Sequence, residues 1–246
     1  MPRLSRVLLA ALPAMLLAGA AAAQSVTLDM GAPDGTPYSG RIIQLVLLTT
    51  AVTLAPSLLV TVTSFTRIAI VLSLLRSALG LQQTPPNTVL TGLALFMTLF
   101  VMQPVLERSW TEGVAPMMAG KVSEIEGVER AVVPLREFML RHVRDSNLEV
   151  FRDLAKVPDS VPREAVPLKA LVPAFMISEI SRAFEIGFLV FVPFLVIDMA
   201  IATILMAMGM MMLPPATVAL PLKVIFFVLI DGWAKLVHGL VLTYTP

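Results

Sequence analysis

The chain has 246 residues, of which 57% are hydrophobic and 14% are charged, and its formal net charge is +1. This balance indicates a membrane-associated protein and excludes an ordinary soluble domain. The near-neutral charge and the lack of a basic run exclude nucleic-acid binding, and the absence of cysteine excludes disulfides, thiolate metal sites and thiol nucleophiles.

The N-terminus has the features of a secretory signal. Two arginines precede an apolar run over 8–17, and three alanines ending at Ala23 form a small-residue cleavage site. We predict a cleavable signal peptide over 1–23, with an uncleaved N-terminal helix as the alternative. Residues 24–41 are rich in glycine, proline and aspartate, and we predict that they form an exposed linker.

Two apolar stretches follow the predicted linker. Apart from Arg67, residues 42–75 are apolar or uncharged, and 89–106 is a second uncharged stretch. Each is long enough to cross a membrane as a helix. The turn formers at 84–87 separate them, so we predict a first helical hairpin over 42–106.

The next region is highly charged. Residues 107–164 carry eleven acidic and nine basic side chains, which requires contact with water. Apolar residues over 128–156 recur at helical spacing, which predicts one amphipathic helix or two short ones. We therefore predict a soluble helical region over 107–170. Its charged face is interpreted either as ordinary solvation or as a docking site.

A second helical hairpin is predicted over 171–246. Its apolar stretches, 186–213 and 216–242, are separated by a second Pro-Pro turn. Pro193 falls inside the first stretch, as Pro104 does in the earlier hairpin. Because kinked helices need neighbours that satisfy the freed carbonyls, this chain is expected to pack against protein more than against lipid.

Charged residues interrupt these apolar stretches. A charge at the bilayer centre costs roughly 2.5 to 3.5 kcal/mol, so each should face protein or an aqueous path. Asp198 is expected to pair with a cation, to cap a broken helix or to bind a proton. Lys223 either extends to the membrane surface or pairs with an acid of a neighbouring subunit. Asp231 and Lys235 are four residues apart and are expected to pair with each other.

Methionines cluster at the tip of the second hairpin, at positions 206, 208, 210, 211 and 212. Methionine is flexible and polarizable, which suits a surface that changes shape. The cluster is interpreted as a deformable apolar seal, with a methionine-rich, lipid-facing helix end as the alternative. His142 and His238 have no carboxylate or second histidine at ligand spacing, so we find no catalytic or metal-binding pattern.

Several ordered motifs resemble the FliP family of type III secretion export-gate subunits. They are the segments 63–68, 75–80, 83–87, 173–180, 183–188 and 193–199. The first contains Ser64-Phe65-Thr66-Arg67, and 173–180 reads Pro-Ala-Phe-Met-Ile-Ser-Glu-Ile. The resemblance covers about residues 41–242. Over the charged region the alignment is weakest, so the contacts of that region stay open.

The resemblance implies an all-α, membrane-associated protein whose bent helical hairpins pack into a helical oligomeric export-gate complex. The implied complex is a pentamer of this chain with FliQ and FliR, in the bacterial inner membrane within the flagellar basal body. It implies contacts with further export-apparatus proteins, membrane lipid and unfolded export substrates, and neither an enzyme nor a cofactor. Such a complex lies largely above the plane that hydropathy suggests, which would accommodate the prolines and charges.

The resemblance also implies roles for individual residues. Met210, Met211 and Met212 correspond to a methionine gasket that closes the pore, which leaves Met206 and Met208 as packing residues. Glu179, Asp198 and Lys223 correspond to charged positions in contacts within or between subunits. Two rival hypotheses are a proton- or cation-coupled small-solute transporter that uses Asp198, and an intramembrane enzyme.

Overall fold

A computed structural model of the chain describes residues 46, 49–50, 53–54, 57, 60–210 and 212–244. The predicted signal peptide, the linker, much of the first apolar stretch and Met211 lie outside the described residues. The described residues form helices and turns with no β-strand, which confirms the prediction of an all-α fold.

The α-helices occur in this order: α1 (Phe65–Ala78), α2 (Asn87–Ser109), α3 (Ala115–Met118), α4 (Glu124–His142), α5 (Asp145–Leu154), α6 (Leu168–Ala207), α7 (Pro215–Leu229) and α8 (Gly232–Leu242). A π-helical turn, Trp110–Val114, joins α2 to α3, and a 3-10 turn, Arg163–Ala165, precedes α6.

The core forms where α1 packs along the first half of α6. Ile68, Val71 and Leu72 recur at helical spacing on one face of α1 and are fully buried. The two helices approach closely at Gly187, where an added Cβ would lie 2.2 Å from Leu74 Cδ1. The long helix is therefore fixed along its first half, and it carries its C-terminal end away from this core.

The charged region contains two amphipathic helices, α4 and α5, which confirms the alternative of two short helices. Two of its arginines donate hydrogen bonds to backbone carbonyls of the proline-rich segment 158–167. Arg136 Nη1 lies 2.6 Å from the Val166 carbonyl, and Arg152 Nη2 lies 2.9 Å from the Val161 carbonyl. These arginines hold the segment against the two helices, so they do more than provide solvation.

Two of the described helices are long and apolar enough to cross a membrane. One is the continuous helix Asn87–Met118, which joins α2, the π turn and α3, and the other is α6. The final apolar stretch was expected to be one helix, and this expectation is wrong. It breaks into α7 and α8, which are bent by 65° relative to each other.

The break lies at Asp231, which adopts a left-handed φ of 54°. Asp231 is the N-cap residue of α8, and the Lys235 amide donates to its carbonyl at 3.1 Å, so the two residues keep their helical spacing along the backbone. No ion pair joins these two side chains among the described residues, so that prediction is wrong.

Candidate functional site

The methionine loop, residues 208–214, leaves α6 through a defined helix end. Gly209 adopts a left-handed φ of 72°, a conformation that glycine reaches without a steric penalty. Its amide donates to the Met206 carbonyl at 3.1 Å, and the Met210 amide donates to the Leu205 carbonyl at 3.0 Å. These two bonds form a Schellman motif, which ends the helix. The direction in which the loop starts is therefore fixed by the backbone.

The described methionine side chains of this loop are exposed to different extents. Met212 is 98% exposed and Met210 is 37% exposed, while Met211 lies outside the described residues. Met206 and Met208 were expected to be packing residues, but both are more than half exposed. Packing of these two residues against other subunits stays a prediction, and within this chain the flexible thioethers point outward from a fixed helix end.

Glu179 lies in a buried polar cluster that joins three parts of the chain. Its carboxylate accepts two hydrogen bonds from the guanidinium of Arg67 on α1, one of them from Nε at 3.0 Å. Arg67 Nη1 also donates to Thr243 Oγ1 at 3.0 Å, beyond the end of α8. Both charged side chains are fully buried, so each requires the other as a partner.

Aromatic residues complete this cluster. The Tyr244 hydroxyl donates to Glu179, and its ring centroid lies 3.9 Å from the guanidinium carbon of Arg67. Burial, reinforced by the Glu179 charge, raises the pKa of Tyr244, so its hydroxyl stays protonated and can donate. The ring of His142 lies 5.2 Å from that of Tyr244. Burial and, to a smaller extent, the charge of Arg67 lower the pKa of His142.

Asp198 and Lys223 form a second internal ion pair. Lys223 Nζ on α7 donates to Asp198 Oδ2 on α6 at 2.6 Å and to the carbonyl of Ala78, at the end of α1, at 3.0 Å. Lys223 is buried, whereas the Asp198 side chain is 36% exposed. This pair therefore connects both arms of the second hairpin to the first.

The charged residues and the methionine loop occupy separate places. Glu179, Asp198 and Lys223 lie at helix–helix junctions, where their bonding capacity is used by Arg67, Tyr244 and the Ala78 carbonyl. In the part of the chain that the structure describes, no group of three acidic or histidine side chains could hold a metal ion. The ion pairs thus hold the helices in place, and the methionine loop is left exposed.

Sequence reasoning did not identify Arg67 and Tyr244 as partners of Glu179. The ion pair spans 112 residues, and helical spacing reveals only neighbours three or four positions apart. An available signal was the position of Arg67 as the single charge within an otherwise uncharged stretch. A charge in such a position requires a partner.

Comparison with known proteins places this arrangement in a family. The FliP family model matches residues 47–240, which includes both ion pairs and the methionine loop. The chain belongs to the FliP family. The resemblance inferred from the sequence motifs is therefore confirmed.

Individual members of the FliP family match most of the chain. A flagellar biosynthetic protein FliP from Caulobacter vibrioides is 50% identical over 94% of this chain and 86% of its own length. One from Rhizobium meliloti is 48% identical over 94% of this chain and 95% of its own. One from Bacillus subtilis is 46% identical over 82% and 91%, respectively.

Proposed function

We propose that this chain is a core subunit of the flagellar type III export gate in the bacterial inner membrane. Five copies assemble with FliQ and FliR into a pore for unfolded flagellar proteins, and further export-apparatus and basal-body proteins surround it. The relatives' names as flagellar biosynthetic proteins support the flagellar role. Two membrane-capable helices support the location.

The observation that carries the gasket proposal is the exposure of the methionine loop. Met212 is 98% exposed at the tip of the hairpin formed by α6 and α7. A single exposed loop cannot close an opening, but a ring of symmetry-related copies can. Apolar constrictions block ions by excluding water, and thioether side chains can repack around a passing chain. We therefore assign Met210, Met211 and Met212 to the gasket.

The ion pairs have a supporting role in this proposal. Arg67–Glu179 fixes α6 against α1, and Asp198–Lys223 fixes α7 against α6. Together they hold the two arms that present the loop. The rival function, a transporter that binds a proton or cation at Asp198, gains no support, because Lys223 already neutralises this carboxylate.

The experiment replaces Met210, Met211 and Met212 together with alanine in cells that co-express the partner subunits. We expect ion leak across the inner membrane to rise while the mass of the extracted complex stays unchanged. The matched control is Met118→Ala, because Met118 is 72% exposed but lies outside the loop. Unchanged leak with a complex of normal mass would reject the gasket. A stable monomer in the presence of FliQ and FliR would reject the assembly.

A further inference from the structure

Two adjoining cavities lie beside the middle of α6, and they differ in chemistry. One, of about 370 Å³, is mostly apolar: its lining includes Val190, Phe194 and Phe227, with Lys235 as the one charged residue among those that line it. The other, of about 350 Å³, is lined by Arg67, Arg144, Arg182 and Glu185. Ile186 and Thr243 line both cavities, so the two adjoin, and we refer to them together as the cleft.

The polar cavity carries a net positive charge, because three arginines face two carboxylates, those of Glu179 and Glu185. Arg67 pairs with Glu179 and Arg144 pairs with Glu185. Arg182 is half-buried, and it forms no hydrogen bond or ion pair with any side chain that the structure describes, although Glu179 and Glu185 lie close enough to interact with its charge. A half-buried guanidinium without a partner favours an anion, and its planar fork matches a phosphate group.

The apolar cavity exists because the final apolar stretch bends. The 65° bend between α7 and α8 opens a space that α6 borders on the other side. Gly239 lines this space, and an added Cβ there would meet no atom within 4 Å. The space is therefore unfilled by the chain itself, and its volume is within the usual range for a small-molecule site.

The order of the two cavities along α6 matches an amphiphile at a membrane surface. Arg182 and Glu185 are followed by an uncharged segment over 186–197. A phospholipid has the same order of charge and apolar surface, and a cation attracts the anionic head group. We propose that this cleft binds an anionic phospholipid, with its phosphate at Arg182 and an acyl chain in the apolar cavity.

The head-group half is tested on the detergent-extracted complex by native mass spectrometry with added phosphatidylglycerol or phosphatidylcholine. We expect retention of phosphatidylglycerol in preference to phosphatidylcholine. Arg182→Gln should weaken phosphatidylglycerol binding about fivefold, the usual contribution of one cation near a lipid surface. Arg182→Lys should retain most of it. The control is Arg141→Gln, an exposed arginine outside both cavities.

The acyl-chain half is tested by filling the cavity. Gly239→Leu places a side chain in the open space and should reduce lipid retention, whereas Gly92→Leu, which also has open space but lies on α2, should leave it unchanged. The proposal is wrong if Arg182→Gln retains the lipid preference. It is also wrong if Gly239→Leu binds phosphatidylglycerol like the unaltered chain.

A protein occupant is distinguished in the assembled complex with a photo-reactive amino acid at position 239. A cross-link to phospholipid supports the proposal, and a cross-link to a protein subunit in place of lipid overturns it. These measurements report lipid binding only. Their failure is therefore distinct from failure of the gasket, which is measured as ion leak.

Discussion

The two halves of α6 differ in composition and in surroundings, because the first carries four charged side chains and the second carries only Asp198. Up to Gly187 the helix buries one face against α1, α4 and α5, including Phe175 and Glu179. Beyond Gly187 its buried residues are Phe194 and Leu205, and large apolar side chains such as Phe188 are exposed. One helix thus begins in the core of the chain and ends outside it.

The two halves differ in whether their side chains find contacts within the chain. In the first half, buried charges find partners within the chain, as Glu179 does with Arg67. In the second half, apolar side chains have few partners in the chain. A large exposed apolar surface marks a site of contact with protein or membrane. The first half of α6 is therefore packed within the chain, whereas the second half presents an apolar surface for contact with protein or membrane.

The largest expected loss of stability comes from removing the buried carboxylate in the first half of α6. Glu179→Ala leaves Arg67 buried without a counter-charge and removes the acceptor of Tyr244. Loss of one partner of a buried ion pair costs about 3 to 5 kcal/mol. We expect this loss in the free energy of unfolding, measured in detergent with a chemical denaturant. Glu129→Ala, at an exposed acid, is the control, and equal losses in the two variants would contradict the contrast.

A smaller loss of stability is expected at Gly209, where α6 ends. Gly209→Ala places a Cβ in the left-handed conformation, which costs about 1 to 2 kcal/mol. Gly92→Ala is a control of opposite sign, because alanine in the interior of α2 should stabilise the helix by up to about 1 kcal/mol. Unfolding of both variants in detergent measures the difference. Stabilisation by Gly209→Ala would show that the helix does not end as described.

The sequence predicted the helices but not their surroundings. Long uncharged stretches require helices in a membrane protein, because only helices satisfy the backbone within one segment. Hydropathy assigned the second hairpin correctly as apolar. It could not show that Phe175 is buried and Phe188 exposed, because both positions are equally apolar and the difference arises from where α1 packs.

The partners and the breaks were harder to predict. The pairing of Lys223 with Asp198 depends on the turn between α6 and α7, and the bond to Ala78 joins residues 145 positions apart. The break at Asp231 had a local signal, since Asp-Gly is a typical turn dipeptide. The apolar stretch around it is continuous, however, and predicts an unbroken helix, which is wrong at this position.

A moderate pH dependence of the free energy of unfolding is expected from His142, the last residue of α4. Burial lowers the pKa of His142 below its value of about 6.5 in the unfolded chain. The unfolded state therefore binds the proton first, so stability is intact above pH 6.5 and falls as the pH drops below it. The contribution of His142 to the free energy of unfolding should therefore decrease as the pH is lowered from 6.5.

The measurement is the free energy of unfolding against pH for the unaltered chain and for His142→Gln. The variant should lose the part of the pH dependence that His142 contributes. His238→Gln, at an exposed position, should keep the profile of the unaltered chain. Identical profiles for all three proteins would show that His142 is protonated equally in the folded and unfolded states.

The smallest effect on unfolding is expected in the exposed half of α6. Phe188 is 68% exposed, so Phe188→Ala should change the free energy of unfolding by less than about 0.5 kcal/mol. Its counterpart Phe175→Ala should cost about 3 to 5 kcal/mol, because Phe175 is fully buried. If the proposed assembly covers this surface, size-exclusion chromatography should nevertheless show less assembled complex for Phe188→Ala. If Phe188→Ala unfolds as easily as Phe175→Ala, the second half of α6 is packed within the chain and the contrast between the two halves does not hold.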